Sequence, residues 1–94
     1  MPRYRTRTGV VLTSICGEHL LVAAKGVRDQ VPYITQISES AAFLWERLEH
    51  GADTDELLSA VLEEYEIEDP AQARAAIEGS IGQMRESGYL LPED

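Results

Sequence analysis

The order of patterned segments in this 94-residue chain predicts an α+β fold in which a small antiparallel sheet precedes three helices, βββααα. Two observations carry the prediction. Residues 10–37 hold β-branched and aromatic runs, separated by Gly17-Glu18 and by a polar loop that ends at Pro32. Residues 38–88 hold apolar positions at helical spacing, interrupted at Gly51 and at Asp69-Pro70. Connections are short and neither an internal repeat nor a linker is visible, so residues 1–94 read as a single domain.

At the start, Arg3-Tyr4-Arg5-Thr6-Arg7-Thr8-Gly9 alternates so that an extended chain would place the three arginines on one side. Such a stretch is either a basic rim for an acidic partner or a loosely held terminus with ordinary surface charge. Val10 to Cys16 and His19 to Ala24 flank Gly17-Glu18, the pattern of a hairpin with a type II′ turn. Cys16 reads as a small strand residue facing the core. A polar loop, Lys25 to Gln30, leads through Pro32 to a third strand, Tyr33 to Ile37.

The helices have legible starts. Ser38 can cap the first, with Glu39 at the positive end of its dipole and Ala41, Leu44, Trp45 and Leu48 as its apolar stripe. Trp45, lying on that stripe, reads as core rather than as a ligand-stacking group. Gly51 offers a left-handed stop. Asp53 or Thr54 opens the second helix, with Glu56 at capping-box spacing and Leu57, Leu58, Val61, Leu62 and Tyr65 following. Asp69 caps the third, with Pro70 at its first position and Gln72 reaching back. Its apolar line is Ala73, Ile77, Ile81 and Met84, with Ser80 among them. It ends at Ser87-Gly88, after which Tyr89-Leu90-Leu91 can fold back on the core.

Composition excludes several function classes. With 44% hydrophobic residues the chain can build a modest core, and no apolar run approaches membrane-spanning length. A single cysteine rules out an intrachain disulfide, and with no secretory signal the expectation is a cytoplasmic protein. Residues 1–28 carry a net +4 and residues 29–94 a net −13, giving −9 overall. Nucleic-acid phosphates would repel so acidic a chain. Cys16 and His19 lack the further ligands of a zinc site. The acids Glu63, Glu64, Glu66, Glu68 and Asp69 lack the spaced ligands and central Gly of a calcium loop and read as a solvated edge. No nucleophile elbow, phosphate-cradling loop or catalytic constellation occurs. The prediction is a protein that is not an enzyme and carries no metal.

One ordered set of residues is similar to a known family. Ile34 to Ile37, Ser38, Ala41, Ala42, Leu44, Trp45, Leu48 and Gly51 resemble the corresponding segment of PqqD-like proteins. Thr54, Glu56, Leu57, Leu62, Tyr65, Ile67, Ile77, Ile81, Met84, Gly88 and Leu90 continue the likeness, which covers about residues 9–91. The resemblance implies a winged-helix-like fold, with a three-stranded sheet beside a three-helix bundle. It also implies recognition of the leader segment of a ribosomally made precursor peptide. The leader would add as a strand to Tyr33, Ile34, Thr35, Gln36 and Ile37 and lie against the third helix, where the implied contacts are Arg74, Glu78, Ile81 and Arg85. A separate modifying enzyme, such as a radical-SAM enzyme, a cyclase or a leader protease, would then act on the peptide, with no cofactor held by this chain. The chain departs from the family at Gly79, Ser80 and Gly82, where bulkier residues are usual; a shallowed helix face or a looser core follows from that. Rival readings are a winged-helix DNA-binding regulator and an accessory domain that binds a partner protein but no peptide.

Overall fold

The computed structural model describes residues 2–93. Its elements run β1 (Arg3–Thr6), β2 (Val10–Ile15), β3 (Glu18–Ala23), β4 (Ile34–Ile37), α1 (Glu39–Leu48), β5 (Ala52–Asp53), α2 (Thr54–Glu64), α3 (Pro70–Glu86) and β6 (Leu90–Glu93), with a 3-10 turn at Lys25–Val27. The fold is α+β, and the expected sheet is present as β2-β3-β4, all antiparallel. A second three-stranded sheet, β5-β1-β6, was not expected.

That second sheet corrects the reading of the N-terminus. β1 is its central strand, with Arg3 opposite both Asp53 and Glu93. Arg3 forms ion pairs with Glu56 and Glu93, Arg5 pairs with Glu93 at 3.1 Å, and Arg7 donates through Nε to the Gly88 carbonyl at 2.7 Å. All three arginines are thus engaged by the fold. The hydrogen bond from Arg3 to Glu93, with the charge of Glu56 adding to it, holds the Arg3 guanidinium above its ordinary pKa.

The hairpin turn also differs from expectation. Its central residues are Cys16 and Gly17, both with positive φ (52° and 78°), which is the signature of a type I′ turn. Type I′ geometry matches the twist of the flanking strands, and it places Cys16 exposed at the tip rather than in the core.

Local chemistry sets the helices. Ser38 Oγ accepts the Ala41 N–H at 3.1 Å, and Asp53 and Glu56 complete a reciprocal capping box. Asp69 accepts from the Ala71 and Gln72 N–H groups, so Gln72 contributes its backbone rather than a side chain reaching back. Trp45, Leu48, Leu57 and Leu21 are the largest fully buried side chains. Leu62 and Tyr65 stay partly exposed, since α2 packs its Leu57 side inward against α3 and β5.

Tyr89 joins the layers. Its ring meets Trp45 edge to face at 5.8 Å, its hydroxyl lies 2.5 Å from Thr35 Oγ1, and its backbone links Met84 and Arg7. No helix among the described residues is long and apolar enough to cross a membrane.

Two stability outcomes follow. Trp45→Ala should cost about 3–5 kcal/mol in a denaturant melt; a loss below about 1 kcal/mol would contradict its place in the core. Gly79 has nothing within 4 Å of an added Cβ and no positive φ. Gly79→Ala should therefore stabilise by up to about 1 kcal/mol through helix propensity, and a destabilised variant would show that the glycine is required.

Candidate functional site

β4 is an edge strand. It pairs with β3 on one side, with Val22 opposite Ile34 and His19 opposite Ile37, and among the described residues no strand pairs with its other side. Ala23 donates its N–H to the Tyr33 carbonyl at 2.8 Å. In an antiparallel ladder this marks Ala23 and Tyr33 as a hydrogen-bonded pair, and such pairs recur at every second residue. The backbone groups of Tyr33, Thr35 and Ile37 therefore face β3. Those of Ile34 and Gln36 face outward, a parity that strand periodicity in the sequence leaves open.

Side chains alternate on the same strand. Ile34 and Gln36 are exposed on the outer face of the sheet, whereas Thr35 and Ile37 are half-buried on the inner face. Tyr33 remains half exposed beneath the Arg28 guanidinium, which stands 3.7 Å from its ring centroid.

Between β4 and α3 lies a groove of about 300 Å³. Thr35, Gln36 and Ile37 form one wall, Ser80, Gln83, Met84 and Ser87 the other, and the buried Leu21 and Tyr89 lie beneath the floor. Ser38 and Ala41 close the α1 end. The lining contains no charged side chain. Such a groove suits extended backbone and small or apolar side chains, and it offers nothing to a phosphate.

The helix residues expected at this groove lie elsewhere. Arg74 is held by Asp55 of α2 at 2.6 Å. Ile81 is buried in the core at 6% exposure. Glu78, Ile81 and Arg85 border a separate cleft with Tyr4 and Gly82, and the Arg85 guanidinium sits 5.0 Å from the Tyr4 ring. At 100° per residue, the Arg74 face stands roughly 130° around α3 from the face bearing Ser80, Gln83, Met84 and Ser87. The structure thus brings Thr35, Gln36 and Ile37 to the groove, with Ile34 on the same edge, and does not bring Arg74, Glu78, Ile81 or Arg85 there. The α3 residues missed as contacts, Ser80, Gln83, Met84 and Ser87, would have been found by helical spacing around Met84, whose apolar side chain read as core. Gly82 opens toward Tyr4 rather than toward β4, so the unusual residue at the groove is Ser80.

The pattern of one family matches this chain over residues 18–90, Coenzyme PQQ synthesis protein D (PqqD). The match takes in β3, β4 and the three helices, the elements that build the groove. A solved structure described as "Lasso peptide synthetase B1 complexed with the leader peptide" is similar with a TM-score of 0.72 and 20% identity, covering 95% of this chain and 98% of that one. At that identity the likeness is one of fold. Among curated proteins no sequence match was found. With 73 of 94 residues inside the family pattern, the chain belongs to the PqqD family.

Proposed function

We propose that the domain binds the leader segment of a ribosomally synthesised precursor peptide as an added strand on β4 and presents it to a separate modifying enzyme. The observation that carries this reading is the open β4 edge, with the backbone groups of Ile34 and Gln36 turned outward beside an uncharged groove. Strand addition draws its affinity from main-chain pairing and its selectivity from pockets for alternate side chains. Guest residues facing inward would lie against Thr35, Ile37 and Ala41, above the buried Met84 and Tyr89, and those facing outward would lie beside Ile34 and Gln36. The helix contacts in this reading are Ser80, Gln83, Met84 and Ser87, in place of the face bearing Arg74, Glu78, Ile81 and Arg85.

Family membership supports the reading, and so does the similar structure, which holds a leader peptide. The enzyme that would receive the peptide is of the kind that modifies leader-bearing precursors: a radical-SAM enzyme, a cyclase or a leader protease. A regulator that binds DNA is disfavoured by the net charge of −9 and by the engagement of Arg3, Arg5, Arg7 and Arg74 within the fold.

A precursor leader encoded beside this chain's gene, titrated into isotope-labelled protein, should shift the amides of Ile34, Gln36, Ser80, Gln83 and Ser87. Shifts confined to α2 or to the β2-β3 turn would overturn the groove. Gln36→Pro removes an outward N–H at an edge, where proline is tolerated, and should weaken binding roughly five- to tenfold. Thr35→Pro should instead destabilise the fold, because its N–H faces β3. Arg85→Glu should change affinity by less than about twofold, since the groove lining is uncharged; a larger loss that fades with added salt would restore the charged face of α3. A labelled random DNA duplex at low salt should show no saturable binding.

A further inference from the structure

Next to the β4 groove lies a second, more apolar cavity of about 370 Å³. Phe43 and Leu44 of α1, Tyr65 and Ile67 beyond α2, and Ala76 and Ile77 of α3 form its walls. Phe43 and Tyr65 stack edge to face at its rim, 5.4 Å between centroids. The cavity exists because α3 presents alanines and a serine here, leaving space that larger residues would fill. Its volume falls within the range of about 300–1,000 Å³ usual for ligand pockets.

Its occupant is indicated by position. Ser80 lines both the cavity and the β4 groove. At α1, the capping Ser38 and Ala41 face the groove while Ser40, Phe43 and Leu44 face the cavity. A single stripe on α3, from Ala73 through Ser80 to Ser87, thus floors both, and over 14 steps it extends about 21 Å. The Gly88 end of α3 packs against the Gln30 carbonyl and Tyr89 bonds Thr35, so the cavity lies beyond the Ile37 end of β4. Four paired residues cover about 13 Å. The remaining ~8 Å corresponds to two or three extended residues.

Charge narrows the chemistry. Glu66 lines the cavity, within a run containing Glu63, Glu64, Glu68 and Asp69, and the cation beside it, Arg47, is taken up by the Phe43 ring, with its guanidinium 4.3 Å from the ring centroid. We propose that this cavity takes an aliphatic or aromatic side chain, flanked by Lys or Arg, from the same bound peptide, two or three residues beyond the segment paired with β4. The proposal rests on the strand-addition reading above. It adds a second anchor that selects among peptides which the main-chain contacts alone would accept.

The test is selection from a display library of random 16-residue peptides on the wild type and on three variants, with dissociation constants for the enriched peptides. Ala76→Phe fills the cavity from an exposed helix position, so the fold should survive, and thermal melts check this. Wild-type protein should enrich peptides with an apolar-basic pair at fixed distance from an alternating segment. Ala76→Phe should lose the pair, keep the alternating segment and bind the wild-type winners ten- to hundredfold more weakly. Glu66→Lys should exchange the basic flank for an acidic one, which a merely structural role for Glu66 would not do. Gln36→Pro should weaken all winners together. Enrichment that depends on Gln36 but is indifferent to Ala76→Phe would overturn the second anchor and leave strand addition standing. Absence of any Gln36-dependent enrichment would overturn both. A wild-type dimer that Ala76→Phe converts to monomer in sedimentation would mean that a second copy of the chain, not a peptide, fills the cavity.

Discussion

The geometry of the groove depends on Tyr89. This buried residue follows the Gly88 turn, where φ of 85° lets the chain reverse directly after α3. Its N–H donates to the Met84 carbonyl and its own carbonyl accepts the Arg7 N–H, both at 2.8 Å. Its ring rests on Trp45 and its hydroxyl reaches Thr35. One residue, through its backbone and its side chain together, thereby fixes α1, α3, β4 and the exit from β1 relative to one another. The spacing between the β4 edge and the α3 stripe is set by a covalent ring and its hydrogen bond, not by the loops. A groove defined in this way can receive a strand without first having to close around it, which lowers the ordering cost of association.

What was legible in the sequence was mostly local. Ser38, Asp53 and Asp69 announce helix starts because capping needs a side-chain oxygen within three residues of the N–H it accepts. Trp45 and Leu48 announce a buried face through spacing alone. The second sheet was not legible, because it is assembled from strands of two to four residues brought together from both ends and the middle of the chain. Its register rests on Arg3, Glu56 and Glu93, whose pairing no periodicity encodes. Cys16 hid the type I′ turn, since a non-glycine residue at positive φ is uncommon outside Asn and Asp.

The candidate site divides along the same line. The strand was legible as Tyr33 to Ile37 from β-branched and aromatic residues. The helix face was not, because α3 is rich in Ala, Gly and Ser, and several stripes can be drawn through such a sequence. The resemblance pointed to Arg74 and Arg85, yet one is spent on Asp55 and the other covers Tyr4. The groove itself is neutral within a strongly acidic protein. In the strand-addition reading, the overall field would act on how a peptide approaches, while contacts in the groove would depend on shape and main-chain pairing.

The pairing of β1 with β6 has a consequence for how the domain can be carried. Arg3 lies opposite Glu93, so the chain enters and leaves side by side on a sheet that takes no part in the β4 groove. Neighbouring ends of this kind tolerate insertion into a host protein and circular permutation. A polypeptide joined before Arg3 or after Glu93 would leave the open strand edge free. The same candidate surface is thus compatible with a detached protein and with a module spliced into a larger one, without redesign of the groove.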